Sequence, residues 1–94
     1  MLNMLASILI SIAVYTPTGQ PIPKAIVIVD NITCADAEHA SCLTDSAGKM
    51  YFEIMPGKRL VTVHKSGYET WVAVITFVPE RPNAKITLLP VHKP

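Results

Sequence analysis

Prolines and glycines cut this sequence at short intervals, and the segments between them are rich in β-branched residues. Pro17, Gly19, Pro21, Pro23, Gly48, Pro56, Gly57, Gly67, Pro79 and Pro82 each oppose a continuous helix, because proline lacks the amide donor and glycine favours turn conformations. No stretch keeps helical periodicity beyond two turns outside Ala35–Ala40, which reads as loop. The pieces left are short strands: Ile8–Tyr15, Ala25–Val29, Met50–Ile54, Leu60–His64, Glu69–Val78 and Lys85–Leu89. Between them, Asp45-Ser46-Ala47-Gly48 has turn chemistry, with Asp able to bond the backbone ahead of it and Gly tolerant of positive φ. Six or seven strands at near-regular spacing predict an all-β, two-sheet sandwich.

Ninety-four residues make one domain, and the half that are hydrophobic suffice for its core. The expected layout is an apolar N-terminal arm at Met1–Ser7, the sandwich over 8–90, and a short tail at 91–94. Charged residues are only 16% of the chain, against about 25% in ordinary soluble domains, so the polar surface is sparse. The net charge is +1, and the basic residues are scattered, with only Lys58 and Arg59 adjacent. A surface that tracks phosphates clusters its cations, so nucleic acid is not an expected partner. The uncharged first sixteen residues end at Pro17, too soon for the ~18–20 apolar residues of a membrane span. Ser11-Ile12-Ala13 has the small-x-small form of an export cleavage site, but no Lys or Arg precedes the apolar run, and cleavage there would remove the first strand. The expectation is an uncleaved chain.

Four segments stand in a telling order. They are Thr18-Gly19-Gln20-Pro21-Ile22-Pro23-Lys24-Ala25-Ile26-Val27, Thr44-Asp45-Ser46-Ala47-Gly48-Lys49-Met50-Tyr51-Phe52, Pro56-Gly57, and Ser66-Gly67-Tyr68. Together they resemble the carboxypeptidase regulatory-like domain, from about residue 8 to residue 90. The resemblance implies a single seven-stranded antiparallel sandwich of the Ig-like, transthyretin-like kind, used as scaffold or interaction module, with no shared catalytic residues. Two departures stand out. Arg59 occupies a place where the family has an inward Tyr or Phe, so either Arg59 snorkels at the rim or Leu60 turns inward. The loop Asp30–Leu43 is longer than usual and carries both cysteines, Cys34 and Cys42.

A disulfide between Cys34 and Cys42 leads, and would restrict the unfolded chain by roughly 2–3 kcal/mol. Two free thiols are the alternative in a reducing compartment, and a metal site including His39 fits no paired-ligand zinc spacing. Asp30, Asp36, Glu38 and Asp45 lack the Asp-x-Asp spacing of a calcium loop. No metal or cofactor is expected. His39, His64 and His92 have no Ser or Asp partner in any recognisable arrangement. Purine-pathway hydrolases with a related sandwich need a first-strand histidine and a C-terminal Tyr-Arg-Gly-Ser, and this chain has neither. The expectation is no enzyme. Tyr15, Tyr51, Tyr68 and Trp71 are candidates for stacking on sugar, although Tyr68 and Trp71 read first as packing residues.

The sharpest feature is apolar residues on both faces of several strands. With Ile8, Ile10, Ile12 and Val14 inward, Leu9 faces out; with Ala25, Val27 and Val29 inward, Ile26 and Ile28 face out. Trp71-Val72-Ala73-Val74-Ile75 is apolar throughout. The interface candidates are therefore Leu9, Ile26, Ile28, Trp71, Val72 and Val74. The loop Asp30–Leu43 or the arm Met1–Ser7 can cover one or two of them, but two strands' worth points to protein partners: a second copy in a homo-oligomer, or the lattice of a host assembly such as a capsid. The function expected is a structural or interaction subunit of a larger assembly, with a virion capsid or tail accessory protein as the natural case. The alternative is a secreted or cell-surface adhesion or carbohydrate-binding module.

Overall fold

The computed structural model describes residues 6–30 and 42–91. Six strands are named among the described residues: β1 (Ile8–Tyr15), β2 (Ile26–Val29), β3 (Lys49–Ile54), β4 (Gly57–His64), β5 (Trp71–Phe77) and β6 (Asn83–Thr87). They form two three-stranded sheets, sheet A in the order β3-β1-β6 and sheet B in the order β2-β4-β5. No α-helix occurs among the described residues.

Alternation along each strand decides what goes inside. Ile10, Ile12 and Val14 of β1, Met50 of β3 and Ile86 of β6 turn toward Val27 and Val29 of β2, Val61 and Val63 of β4, and Phe77 of β5. These residues make one cluster fed by both sheets, which is the sandwich-like arrangement expected. β-branched side chains dominate it because they fit a pleated, half-buried surface.

The expectation of antiparallel pairing throughout fails at one place. β1 pairs antiparallel with β3 but parallel with β6, in a register running from Ser11↔Asn83 to Tyr15↔Thr87. The reason lies in the crossings between sheets. β3 ends beside the start of β1, and Met55-Pro56 carries the chain across to β4; β5 returns antiparallel to β4 and ends with Phe77 opposite Gly57. The chain therefore crosses back at the end where β1 begins, and β6 must rise alongside β1 in the same direction. β6 also starts two residues before Lys85, the expected start, because the carbonyl of Pro82 already accepts the Ser11 amide.

Seven strands were expected, and six are named among the described residues. Where a seventh would lie, on the free side of β2, a single bridge joins Leu43 to Ile26. Thr44 fixes that segment. Its backbone exchanges bonds with Lys24 and Ala25, while its buried hydroxyl accepts from the Ala25 amide at 2.8 Å and donates to the Ile22 carbonyl at 2.7 Å. Residues 31–41 of the long loop and 1–5 of the N-terminal arm lie outside the described residues.

The turn before β3 is built as its sequence predicts. Asp45 Oδ1 accepts from the amides of Ala47 and Lys49, and the Asp45 carbonyl accepts from Gly48. Gly48 sits at φ 78° against the end of β1, and its carbonyl accepts the Val14 amide at 2.7 Å. A β-carbon there would lie 2.7 Å from the Val14 carbonyl oxygen and 2.9 Å from Pro21 Cβ. Gly19, at φ 88°, has open space around it. The two glycines separate backbone strain from collision. Gly19→Ala is expected to cost about 1–2 kcal/mol, the left-handed penalty alone. Gly48→Ala must add a collision with backbone, bringing its loss to roughly 3 kcal/mol or more. Urea denaturation of the two variants checks this ordering, and equal losses would contradict it.

Candidate functional site

The six interface candidates do not form one surface. Leu9 is well exposed, but it lies on the outer face of sheet A. Trp71 is on the inner side of β5, packed against the core, because residues 71, 73, 75 and 77 share its face. Ile26, Ile28, Val72 and Val74 do meet, on the outer face of sheet B. Register places Ile28, Thr62 and Val72 in one row across the three strands, with Leu60 beside Val74 in the next and Ile26 beside His64 in the row on the other side. Val72 is 56% and Val74 62% exposed.

Leu60 is the member that sequence reasoning left unresolved. Val61 and Val63 are both fully buried, so β4 alternates with odd numbers inward and Leu60 outward. Arg59 has inward phase at the rim, where it reaches two partners. Its Nη1 donates to Asp30 Oδ2 at 3.1 Å, and its Nη2 donates to the Met55 carbonyl. Asp30 holds the end of β2 by more than charge: Oδ1 accepts the Leu60 amide at 2.9 Å, and the Asp30 amide donates to the Leu60 carbonyl. Both side chains are partly exposed, at 25% and 36%, so the ion pair itself is worth little. This is a structural clasp across the β3–β4 crossing.

The sheet edges differ in a way that bears on assembly. The free edge of β2 meets Leu43, the edge strand β3 carries Lys49 and Glu53, and β6 carries Lys85. Those are the usual devices that keep an edge from pairing with another chain. β5 has none of them: seven residues, Trp71-Val72-Ala73-Val74-Ile75-Thr76-Phe77, with no charge and no proline. Among the described residues its outer edge has no strand partner, although the segment entering it is tied to residues 89–91 by the Glu69 amide on the Leu89 carbonyl and the Val91 amide on the Gly67 carbonyl.

Chemistry-bearing side chains are dispersed. No group of three or more His, Cys, Asp or Glu that would hold a metal occurs among the described residues. His64 Nδ1 lies 3.1 Å from Thr70 Oγ1, on the outer side of β4. An open depression of about 530 Å³ is lined there by Lys24, Ile26, His64, Lys65 and Tyr68 among others. Tyr68 and Trp71 are partly buried and pack against the core, whereas Tyr51 is half exposed on sheet A. Cys42 is buried and disulfide-bonded, while Cys34 lies outside the described residues, as do His39 and His92. No helix among the described residues is long and apolar enough to cross a membrane.

No family model matches this chain, and no curated protein does. The fold is nevertheless shared. A 3-chlorocatechol 1,2-dioxygenase from Rhodococcus opacus 1CP superposes with a TM-score of 0.70 over 92% of this chain, at 12% identity. The chain spans 61% of that enzyme's length. At such low identity the likeness is one of fold.

Two checks follow. Asp30→Asn keeps an acceptor for the Leu60 amide and tolerates the φ of 53° at this position, so it should cost less than about 1 kcal/mol, while Asp30→Ala loses both and should cost roughly 2 kcal/mol by urea denaturation. Equal effects would mean that charge, not the side-chain-to-backbone bond, holds the clasp. For the proposed Cys34–Cys42 bridge, intact mass without reductant should fall two hydrogens below the reduced value. Ready alkylation of both thiols would contradict it.

Proposed function

We propose that this protein is a non-catalytic structural and interaction module, a subunit or decoration of a larger assembly, which docks through the outer face of sheet B and the adjoining edge of β5. The observation that carries the proposal is the row structure of that face: Ile28, Leu60, Val72 and Val74 stand together on the solvent side, beside an edge strand with no protective charge. Covering Val72 and Val74 contributes about 1–2 kcal/mol apiece. Pairing along β5 adds main-chain hydrogen bonds that make no demand on the partner's sequence. An accessory protein of a virion capsid or tail is the natural setting for such a chain.

The finer fold reading belongs with this proposal. A seven-stranded, transthyretin-like sandwich of the carboxypeptidase regulatory-like kind would account for the four turn motifs, and the single bridge from Leu43 to Ile26 supports a further strand beside β2. That family supplies scaffolds to many hosts, which agrees with a role exercised through faces.

The first partner to test is a second copy, since closed symmetric oligomers are the usual way for a small chain to cover such a surface. Light scattering coupled to size exclusion should give a multiple of the 10.2 kDa chain mass at high micromolar concentration. The Val72→Lys, Val74→Lys variant should run as the single chain and remain soluble. A monomeric wild type, unchanged by these substitutions, would contradict self-association; failure of the same variant to alter capture by a lattice protein would then contradict the docking face itself.

A further inference from the structure

The outer face of sheet A has the opposite character, and nothing in the assembly reading uses it. With Ile10, Ile12 and Val14 turned inward, β1 presents Ser11, Ala13 and Tyr15 outward. Register sets Ser11 between Tyr51 and Asn83, and Ala13 between Lys49 and Lys85. Tyr15 stands in the following row beside Thr87. Ala13 is the smallest side chain at the middle of the face, and around it lies an open depression of about 430 Å³ walled by the two lysines, the two tyrosines and Asn83.

The walls are partly fixed in place. Lys85 Nζ lies 5.1 Å from the centre of the Tyr15 ring, a cation–π contact that keeps the ammonium group at the depression. Ser11 Oγ donates to Asn83 Oδ1 at 2.7 Å, which leaves the amide nitrogen of Asn83 to donate outward. Among the described residues no carboxylate lines the depression. Glu53 of β3 sits in the adjoining Leu9 row and accepts from Ser7. The face thus offers two ammonium groups and an amide donor, with the Tyr51 ring on the β3 side and the Tyr15 ring on the central strand beneath the Lys85 ammonium.

We propose that this face is a binding site for acidic saccharide, a chain of pyranose rings bearing carboxylates. Lys49 and Lys85 stand two strand spacings apart, about 10 Å, so one carboxylate meets one lysine and successive acidic units engage both. Ring hydroxyls accept from Asn83, and the apolar C–H face of a sugar lies on the exposed ring of Tyr51. Tyr15 and Tyr51 are separated by two rows and one strand, roughly 14 Å between backbones, which suits an extended oligomer more than a single sugar. Single-stranded RNA also joins rings to anionic charge. However, it needs a run of cations along its backbone, and this face has two.

The test is an amide-resolved NMR titration of the full chain with a glucuronate-containing oligosaccharide, alongside a neutral malto-oligosaccharide and oligouridylate. The acidic sugar should shift the amides of residues 11, 13, 49, 51, 83 and 85, with an affinity that falls as salt rises. Lys49→Gln with Lys85→Gln should weaken binding at least tenfold, and Tyr51→Ala by several-fold, each with its remaining spectrum unchanged as the check on folding. Ala13→Leu, which fills the floor, should abolish the shifts. Val72→Lys, on the other sheet, should leave them intact. No shifts on this face, equal response to the neutral sugar, tighter binding of oligouridylate, or indifference to the lysine substitutions would each overturn the proposal.

Discussion

One interior serves both sheets. Val14, Ile12 and Ile10 from the middle strand of sheet A meet Val27, Val61, Val63 and Phe77 from sheet B, and every other element is arranged by the need to close that contact. The crossings Pro21–Ala25 and Met55-Pro56 carry the chain between layers. Gly48 lets the turn before β3 lie on the end of β1, and Thr44 satisfies the backbone of the first crossing, which would otherwise be buried with its donors and acceptors unpaired. Because two layers have a single inside, each sheet must turn its second face outward. What the chain places on those two outer faces is then the question of function.

The answers differ between the sheets. Sheet A shows lysines, tyrosines, serine and asparagine outward around a polar, cationic hollow, with Leu9 and Glu53 in the row at one end. Sheet B shows Ile28, Leu60, Val72 and Val74 around Thr62, with Lys58 and Thr76 in the row beyond and an uncharged edge strand beside them. Charged residues are only 16% of the chain, and the larger apolar group is on sheet B. Such asymmetry is hard to explain by stability alone, since outward apolar residues add nothing to the shared core and invite association. The likeness to a dioxygenase at 12% identity is one of architecture and leaves the chemistry open, because a fold does not fix a function.

Strand-level features were legible in the sequence because they are local. The inward sets Ile10–Ile12–Val14 and Ala25–Val27–Val29 follow from alternation, and the Asp45–Gly48 turn follows from the residues it needs. Sheet membership was not legible, since it depends on where the chain crosses. Hence Leu9 was grouped with Ile26 although the two lie on different sheets, and the parallel pairing of β1 with β6 went unforeseen. Parity misled in one more place. The apolar run from Trp71 to Ile75 gives no sign of which half faces in, and Trp71 joined the core while Val72 and Val74 did not. At Arg59 and Leu60 the two alternatives were visible, and the pair Val61 and Val63 decides between them.

The central claim is that sheet B is covered by a partner along β5. Hydrogen exchange followed by mass spectrometry, at protein concentrations spanning the monomer and the assembled form, tests it without any substitution. Unpaired edge amides exchange readily, and pairing with another strand slows them. The account predicts that protection of residues 71–77 rises with concentration while that of the charged edge strand 49–54 stays constant. Protection that rises at 49–54 instead, or at neither strand while the mass increases, would contradict it.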